Sequence, residues 1–217
     1  IIRSEDIDKY LHKRDNKNLL IILDTNKASL VQSKEVISKI NKKLVIDHHD
    51  LSKESLKDVI MINDTESSST CEMITDLVEY YDIDVDPYYA TILLAGIVLD
   101  TSNFMLKTKA ETYYAAYYLS SLGASAKKVQ YLLKQDIEDY TERQKLMSDI
   151  ETIDSRIAFT KATPYTIYRK EDLARTADTL LFFNNIEASF VVGKIGKDTI
   201  GVSARSLGNY DISKIMT

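Results

Sequence analysis

Two histidines stand side by side in Asp47-His48-His49, and two further carboxylates, Asp24 and Asp100, each close an apolar run. Carboxylate oxygens with one or two imidazoles make the donor set of a hard divalent cation. They suit manganese or magnesium better than the thiolate-rich sites that favour zinc. A bound cation supplies local positive charge, which is what a small phosphorylated substrate needs. Each residue also has a plainer reading. Asp24 serves equally as a turn former after a strand, Asp100 as a cap, and the histidines as a half-buried pair bonded to backbone. His12, within LHKRDNK, reads as a solvated surface residue, and Cys71, early in a helix, as packed rather than reactive.

The elements that must position these groups follow from hydrophobic periodicity. Residues 19–23 (LLIIL) form a continuous aliphatic run and read as a buried parallel strand that ends at Asp24. Residues 33–40 read as a short helix, 43–47 (KLVID) as a second strand and 59–62 (VIMI) as a third. The carboxyl ends of such strands are where open α/β sheets bind ligands. Ser69-Thr70-Cys71-Glu72 fits a capping box that opens a helix to about residue 81, and Asp86-Pro87 opens another that runs to Asp100. The pattern stays helical from 110 to 153, with Gly123 closing one helix and Ser125 capping the next. At least half of Tyr113, Tyr114, Tyr117 and Tyr118 read as core or groove packing, and the Lys and Glu residues of 127–145 as wet helix faces. Residues 137–153 read as one long connector helix. Strands are expected over 156–161, 166–169, 188–193 and 200–204, with helices over 171–184 and from about Asp211.

Composition narrows the function classes. The 217 residues carry 28 Lys and Arg against 33 Asp and Glu, a net charge of −5, which argues against a general nucleic-acid binder. One cysteine rules out an internal disulfide framework, and its thiol suits a reducing compartment. Six glycines, none in a phosphate-binding loop, argue against P-loop NTPases and ordinary dinucleotide folds. No run approaches the ~18 apolar residues of a membrane span, and no signal peptide is expected. The chain begins Ile1-Ile2-Arg3 without an initiator Met and reads as a piece of something larger.

Asp24-Thr25-Asn26, Asp47-His48-His49 and the GIVLDT segment of 96–101 occur in the order and approximate spacing of the DHH phosphoesterase superfamily. Residues 177–181 (ADTLL), 187–193 (EASFVVG) and 202–208 (VSARSLG) resemble its DHH-associated domain. They resemble in particular the cyclic di-AMP phosphodiesterases of the GdpP (YybT) type from Gram-positive bacteria. The resemblance implies an α/β fold: a DHH phosphoesterase lobe with a parallel sheet flanked by helices, and a smaller α+β DHH-associated lobe joined by a long helix. The expected boundaries are 1–136, 137–154 for the connector, and 155–217.

By that resemblance Asp24 bridges two Mn2+ ions, with Mg2+ as a substitute, while His48 and Asp100 are ligands and Asp47 orients the site. His49 contacts the substrate phosphate, and Arg205 reaches across the cleft to phosphate or nucleotide with Ser203 in support. Ser68, Ser69 and Thr70 match a family segment, although helix capping accounts for them. The implied activity is hydrolysis of cyclic di-AMP, a second messenger, to linear pApA. A phosphodiester anion resists attack by another anion, and a pair of metal ions overcomes this by neutralising charge and activating water. The alternatives are an oligoribonuclease or pAp phosphatase of the same superfamily, or a catalytically incomplete nucleotide-sensing module. The family's His-x3-Asp-x-Asp motif has no counterpart before Asp24, where residues 1–18 offer His12 and Asp15, and its GGGH segment none before Thr217. The chain therefore reads as a fragment, weakly active or inactive alone. Its expected partner is a cyclic dinucleotide, with no long nucleic acid, no direct membrane contact and a homodimer left open. The expected setting is the cytoplasmic part of a parent tethered to the bacterial membrane.

Overall fold

A computed structural model describes residues 4–11, 17–163, 165–208 and 210–215; His12 and Asp15 lie outside them. The chain divides into two compact units, Ile1–Lys134 and Gln135–Thr217. In the first, Leu20–Leu23 (β1) leads through Lys34–Lys39 (α1) to Lys43–Asp47 (β2), and Ile60–Asn63 (β3) follows. The strands pair in the order β1-β2-β3, all parallel, with Leu23 opposite Ile46 and Asp47 opposite Asn63. That register carries Asp24 and Asp47 to the same rim. Ile22 and Val45 are buried on one face of the sheet. On the other face, Ile21, Leu23, Ile60 and Ile62 remain 51, 49, 68 and 40% exposed. Parallel sheets are usually covered on both sides; among the described residues this second face is covered over Ile46 of the central strand, 4% exposed, and largely uncovered over the two outer strands.

Four helices follow: Thr70–Tyr80 (α2), Pro87–Asp100 (α3), Ala110–Ser121 (α4) and Ala126–Leu132 (α5). Their starts are those the capping residues announce. The Ser69 hydroxyl accepts from the Glu72 N–H at 3.1 Å, Asp86 accepts from the Tyr88 N–H at 2.7 Å, and Ser125 accepts from Lys128. Leu94, Ile97, Val98, Ala115, Leu119 and Val129 from α3, α4 and α5 form the core of this part, each large side chain contributing about 1.5–3 kcal/mol of burial. The tyrosines of α4 do not join it. Thr112, Ala115 and Leu119 take the buried stripe, which leaves Tyr113, Tyr114 and Tyr117 more than half exposed. Tyr113 stacks on Phe104, and Tyr114 lines a groove with Met73, Leu77 and Tyr80.

The second unit holds Ile137–Leu146 (α6), Ile150–Ile153 (β4), Ile157–Lys161 (β5), Lys170–Leu180 (α7), Ala188–Gly196 (β6), Thr199–Ser206 (β7) and Ile212–Ile215 (α8). Its sheet runs β4-β5-β6-β7, with β5 and β6 parallel and the other pairs antiparallel. The long connector helix expected over 137–153 is corrected here. It stops at Leu146, a fully buried member of this unit's core, and residues 150–153 turn into a strand. The β-branched Ile150, Thr152 and Ile153 favour a strand. Asp154 and Ser155, both at positive φ, begin the three-residue loop 154–156 that closes a hairpin into β5. The strand expected over 166–169 reduces to a single bridge from Ile167 to Lys194. Helix α7 ends at Leu180 rather than 184, and β6 and β7 run longer than expected. Among the described residues, no helix is long and apolar enough to cross a membrane.

Candidate functional site

Asp24 follows β1 at φ 62°, in the left-handed region, while its N–H still donates to the Ile46 carbonyl at 3.0 Å. The turn out of the strand thus begins at the residue whose carboxylate must face the rim. The Thr70 hydroxyl, at the first position of α2, donates to Asp24 Oδ1 at 3.0 Å. Behind this group Asp47 is wholly buried. Its Oδ1 accepts from the His48 N–H at 2.9 Å and lies 2.7 Å from His49 Nδ1, while Oδ2 accepts from Asn26 Nδ2 at 2.6 Å. Asn26 is fixed in turn by the Ser55 hydroxyl at 2.8 Å, and Asn63 Nδ2 donates to the carbonyls of Asp47 and His49 at 2.9 Å each. With both oxygens engaged by protein, Asp47 orients the histidine turn.

His48 is 7% exposed and aims Nε2 at the rim, 3.6 Å from Asp24 Oδ1 and 4.0 Å from Asp100 Oδ2. Its Nδ1 is buried and has no hydrogen-bond partner among the described residues, so packing alone sets the ring on that side. The His49 ring stands edge-on to it at 4.4 Å. Asp24, His48 and His49 each place a donor atom within 4.8 Å of the others, and Asp100, the last residue of α3, joins through His48. Burial, and then the negative charge of Asp24, raise the Asp100 carboxyl above its ordinary range; His48, His49 and Lys107 oppose the shift. Burial, and then Asp100 and Asp24, push the Cys71 thiol up to about 11, so it is a packed, protonated group at neutral pH. Two carboxylates crowded around an imidazole fit a hard divalent cation, which would relieve their repulsion.

Ser203 and Arg205 lie together in the second unit, two positions apart on β7. Arg205 Nε donates to Asp178 Oδ1 at 2.6 Å, and Nη1 donates to the Ala204 carbonyl at 2.9 Å and to Ser203 Oγ at 3.4 Å. Arg205 and Asp178 are partly exposed, at 38 and 24% of their side-chain surface.

Residues 2–97 match the DHH family, N-terminal domain. Over 203 residues the chain is 39% identical to the cyclic-di-AMP phosphodiesterase PdeA of Listeria monocytogenes, covering 92% of this chain and 31% of that protein. Residues 2–97 belong to the N-terminal domain of the DHH family. The chain is also 38% identical over 201 residues to the cyclic-di-AMP phosphodiesterase GdpP of Geobacillus thermodenitrificans, covering 91% of this chain and 30% of that one. It thus spans about a third of the length of these curated relatives. An exopolyphosphatase-related protein from Bacteroides fragilis shares the fold, with a TM-score of 0.78 at 22% identity, covering 98% of this chain and 64% of that one.

Around its DHH triplet the chain uses residues that spacing alone does not mark. Asn26 enters the sequence reading only as the last residue of the Asp24-Thr25-Asn26 segment, with no role of its own, and Asn63 reaches Asp47 because β2 and β3 are in register. Thr70 reads in sequence as part of a cap, yet Ser69 makes the cap and Thr70 turns to Asp24.

Proposed function

We propose that this chain carries the catalytic site of a metal-dependent phosphodiesterase that hydrolyses cyclic di-AMP to linear pApA. The observation that carries the proposal is the approach of Asp24, His48, His49 and Asp100 at the site described above, in a chain with relatives named for that activity. Asp24, His48 and Asp100 are the residues to hold manganese, with magnesium as a substitute. A pair of such ions supplies positive charge to the non-bridging phosphate oxygens and lowers the pKa of a water molecule. The protein's own part is orientation. His49, held through Nδ1 by buried Asp47, keeps Nε2 available to a phosphate oxygen. Arg205, with Ser203 beside it, is the phosphate contact of the second unit.

The test is Asp100→Asn in the full-length protein, assayed for cyclic di-AMP cleavage with manganese and titrated with manganese calorimetrically. Loss of a ligand is expected to lower turnover and metal affinity by about a hundredfold or more, beyond what loss of an outer-shell partner costs. Cleavage at the wild-type rate sinks the assignment. A second reading, a nucleotide-sensing module, draws on the small donor set: four side chains among the described residues. Wild-type protein that binds manganese and cyclic di-AMP without cleaving it favours that reading. Faster turnover of linear pApA than of cyclic di-AMP favours an oligoribonuclease.

A further inference from the structure

We propose that Asp178 is the positioning residue for Arg205, holding the guanidinium by Nε so that Nη2 remains the donor offered to an anionic phosphate oxygen. The inference rests on the reading of Arg205 as a phosphate contact. Of the three guanidinium nitrogens, Nε is taken by Asp178 at 2.6 Å and Nη1 by the Ala204 carbonyl and Ser203 Oγ. Nη2 has no partner among the described residues. An arginine free at both Nε and Nη2 can grip an oxyanion with two parallel bonds, whereas this one is left with a single oriented donor group. The anchor is itself rigid. Asp178 lies in the last turn of α7, and the preceding residue, Ala177, accepts at its carbonyl a 2.7 Å hydrogen bond from the buried Ser189 hydroxyl. Ser189 is the register partner of Arg205 across β6 and β7. Strand, helix and guanidinium therefore form one closed unit, and Asp178 is its only carboxylate contact to Arg205 among the described residues.

Three other roles compete. As a fold tie, the pair would support melting temperature and not ligand affinity; partly exposed ion pairs contribute little even there. As a competitor, Asp178 would occupy the arginine and repel phosphate, so its removal would tighten binding. As a bystander, it would affect neither. The experiment titrates full-length protein with linear pApA in manganese, comparing wild type, Asp178→Ala, Asp178→Asn, Arg205→Ala and the double alanine variant, with melting temperatures alongside. Asp178→Ala and Arg205→Ala are each expected to weaken binding about tenfold, the double variant no more than Arg205→Ala alone. Asp178→Asn, which keeps an oxygen acceptor for Nε, is expected to stay within about threefold of wild type. Unchanged or tighter binding by Asp178→Ala while Arg205→Ala is weakened overturns the inference and leaves the reading of Arg205 intact. Additive losses in the double variant overturn it as well. Wild-type affinity in Arg205→Ala overturns the underlying reading, and the inference with it.

Discussion

At Asp24 the backbone enters the left-handed region, at φ 62°, and the Thr70 hydroxyl meets the carboxylate at 3.0 Å. For a residue with a β-carbon that conformation costs on the order of 1–2 kcal/mol, least for Asp and Asn. The strain is localised at a proposed ligand and is offset by the bond to Thr70 and the N–H bond to Ile46. Thr70→Val keeps the side chain's shape and removes the hydroxyl. We predict that manganese affinity falls about tenfold while melting temperature changes little, because the group acts on ligand orientation. Unaltered affinity in a calorimetric titration counts against this role. What the sequence reveals at this scale is uneven, for a physical reason. Asp47, His48 and His49 are neighbours in the chain, so their convergence is read from one triplet. Thr70 and Asp24 are 46 positions apart, and their contact is created only by packing.

Helices α2 and α3 approach each other through Gly96. A β-carbon placed there would lie 2.2 Å from Cys71 Sγ and 3.0 Å from Cys71 Cβ. Since Cys71 follows Thr70, the same close crossing sets where α2 begins, and so where the hydroxyl reaches Asp24. Gly96→Ala is predicted to destabilise the fold by about 1–3 kcal/mol through overpacking, despite alanine's better helix propensity. Adding Cys71→Ala should recover part of that loss by removing the sulfur. Urea unfolding midpoints equal for wild type and Gly96→Ala exclude the clash. At this scale capping chemistry made helix starts readable, since Ser69, Asp86-Pro87 and Ser125 act within one turn of themselves. Helix ends were less readable. Residues 137–153 hold no glycine or proline to mark the change from α6 to β4, and the deciding contacts are the pairings of β4 with β5. The interface chemistry of Gly96 was hidden for the same reason: it appears in sequence only as a small residue in an apolar run.

Across the whole molecule, carboxylates respond to acid in opposite senses. Arg169 grips Asp172 through two bonds, 2.9 and 3.0 Å, and holds its carboxyl below the ordinary value of 3.8. The same guanidinium reaches Asp139 at 2.8 Å, so the clamp joins α6 to α7. A carboxyl lowered in the folded state stabilises it above the unfolded value, and that contribution is lost as pH falls through the folded one. Asp76 is raised instead, first by burial and then by Glu72, Glu79, Asp64 and Glu111, so the folded chain gains stability as pH falls toward its range. We therefore predict that Asp172→Asn lowers the melting temperature at pH 7 by several degrees, and that its difference from wild type shrinks below about pH 4. A constant difference from pH 7 to pH 3 is the result against it. The general outline of two units was legible in periodicity, because parallel strands and amphipathic helices leave different patterns. The position of the join was not, since α6 could be assigned to the second unit only once Leu146 was seen inside that unit's core.

The exposed outer strands of the first sheet bear on what a melting temperature means for this chain. Ile21, Leu23, Ile60 and Ile62 present apolar surface that belongs to the folded state as an organised patch and to the unfolded state only as scattered side chains. Any molecule that lies on that patch binds one state and not the other, and so stabilises by mass action in proportion to the logarithm of its concentration. Melting temperatures of the chain are therefore comparable only between solutions in which the occupancy of that patch is the same.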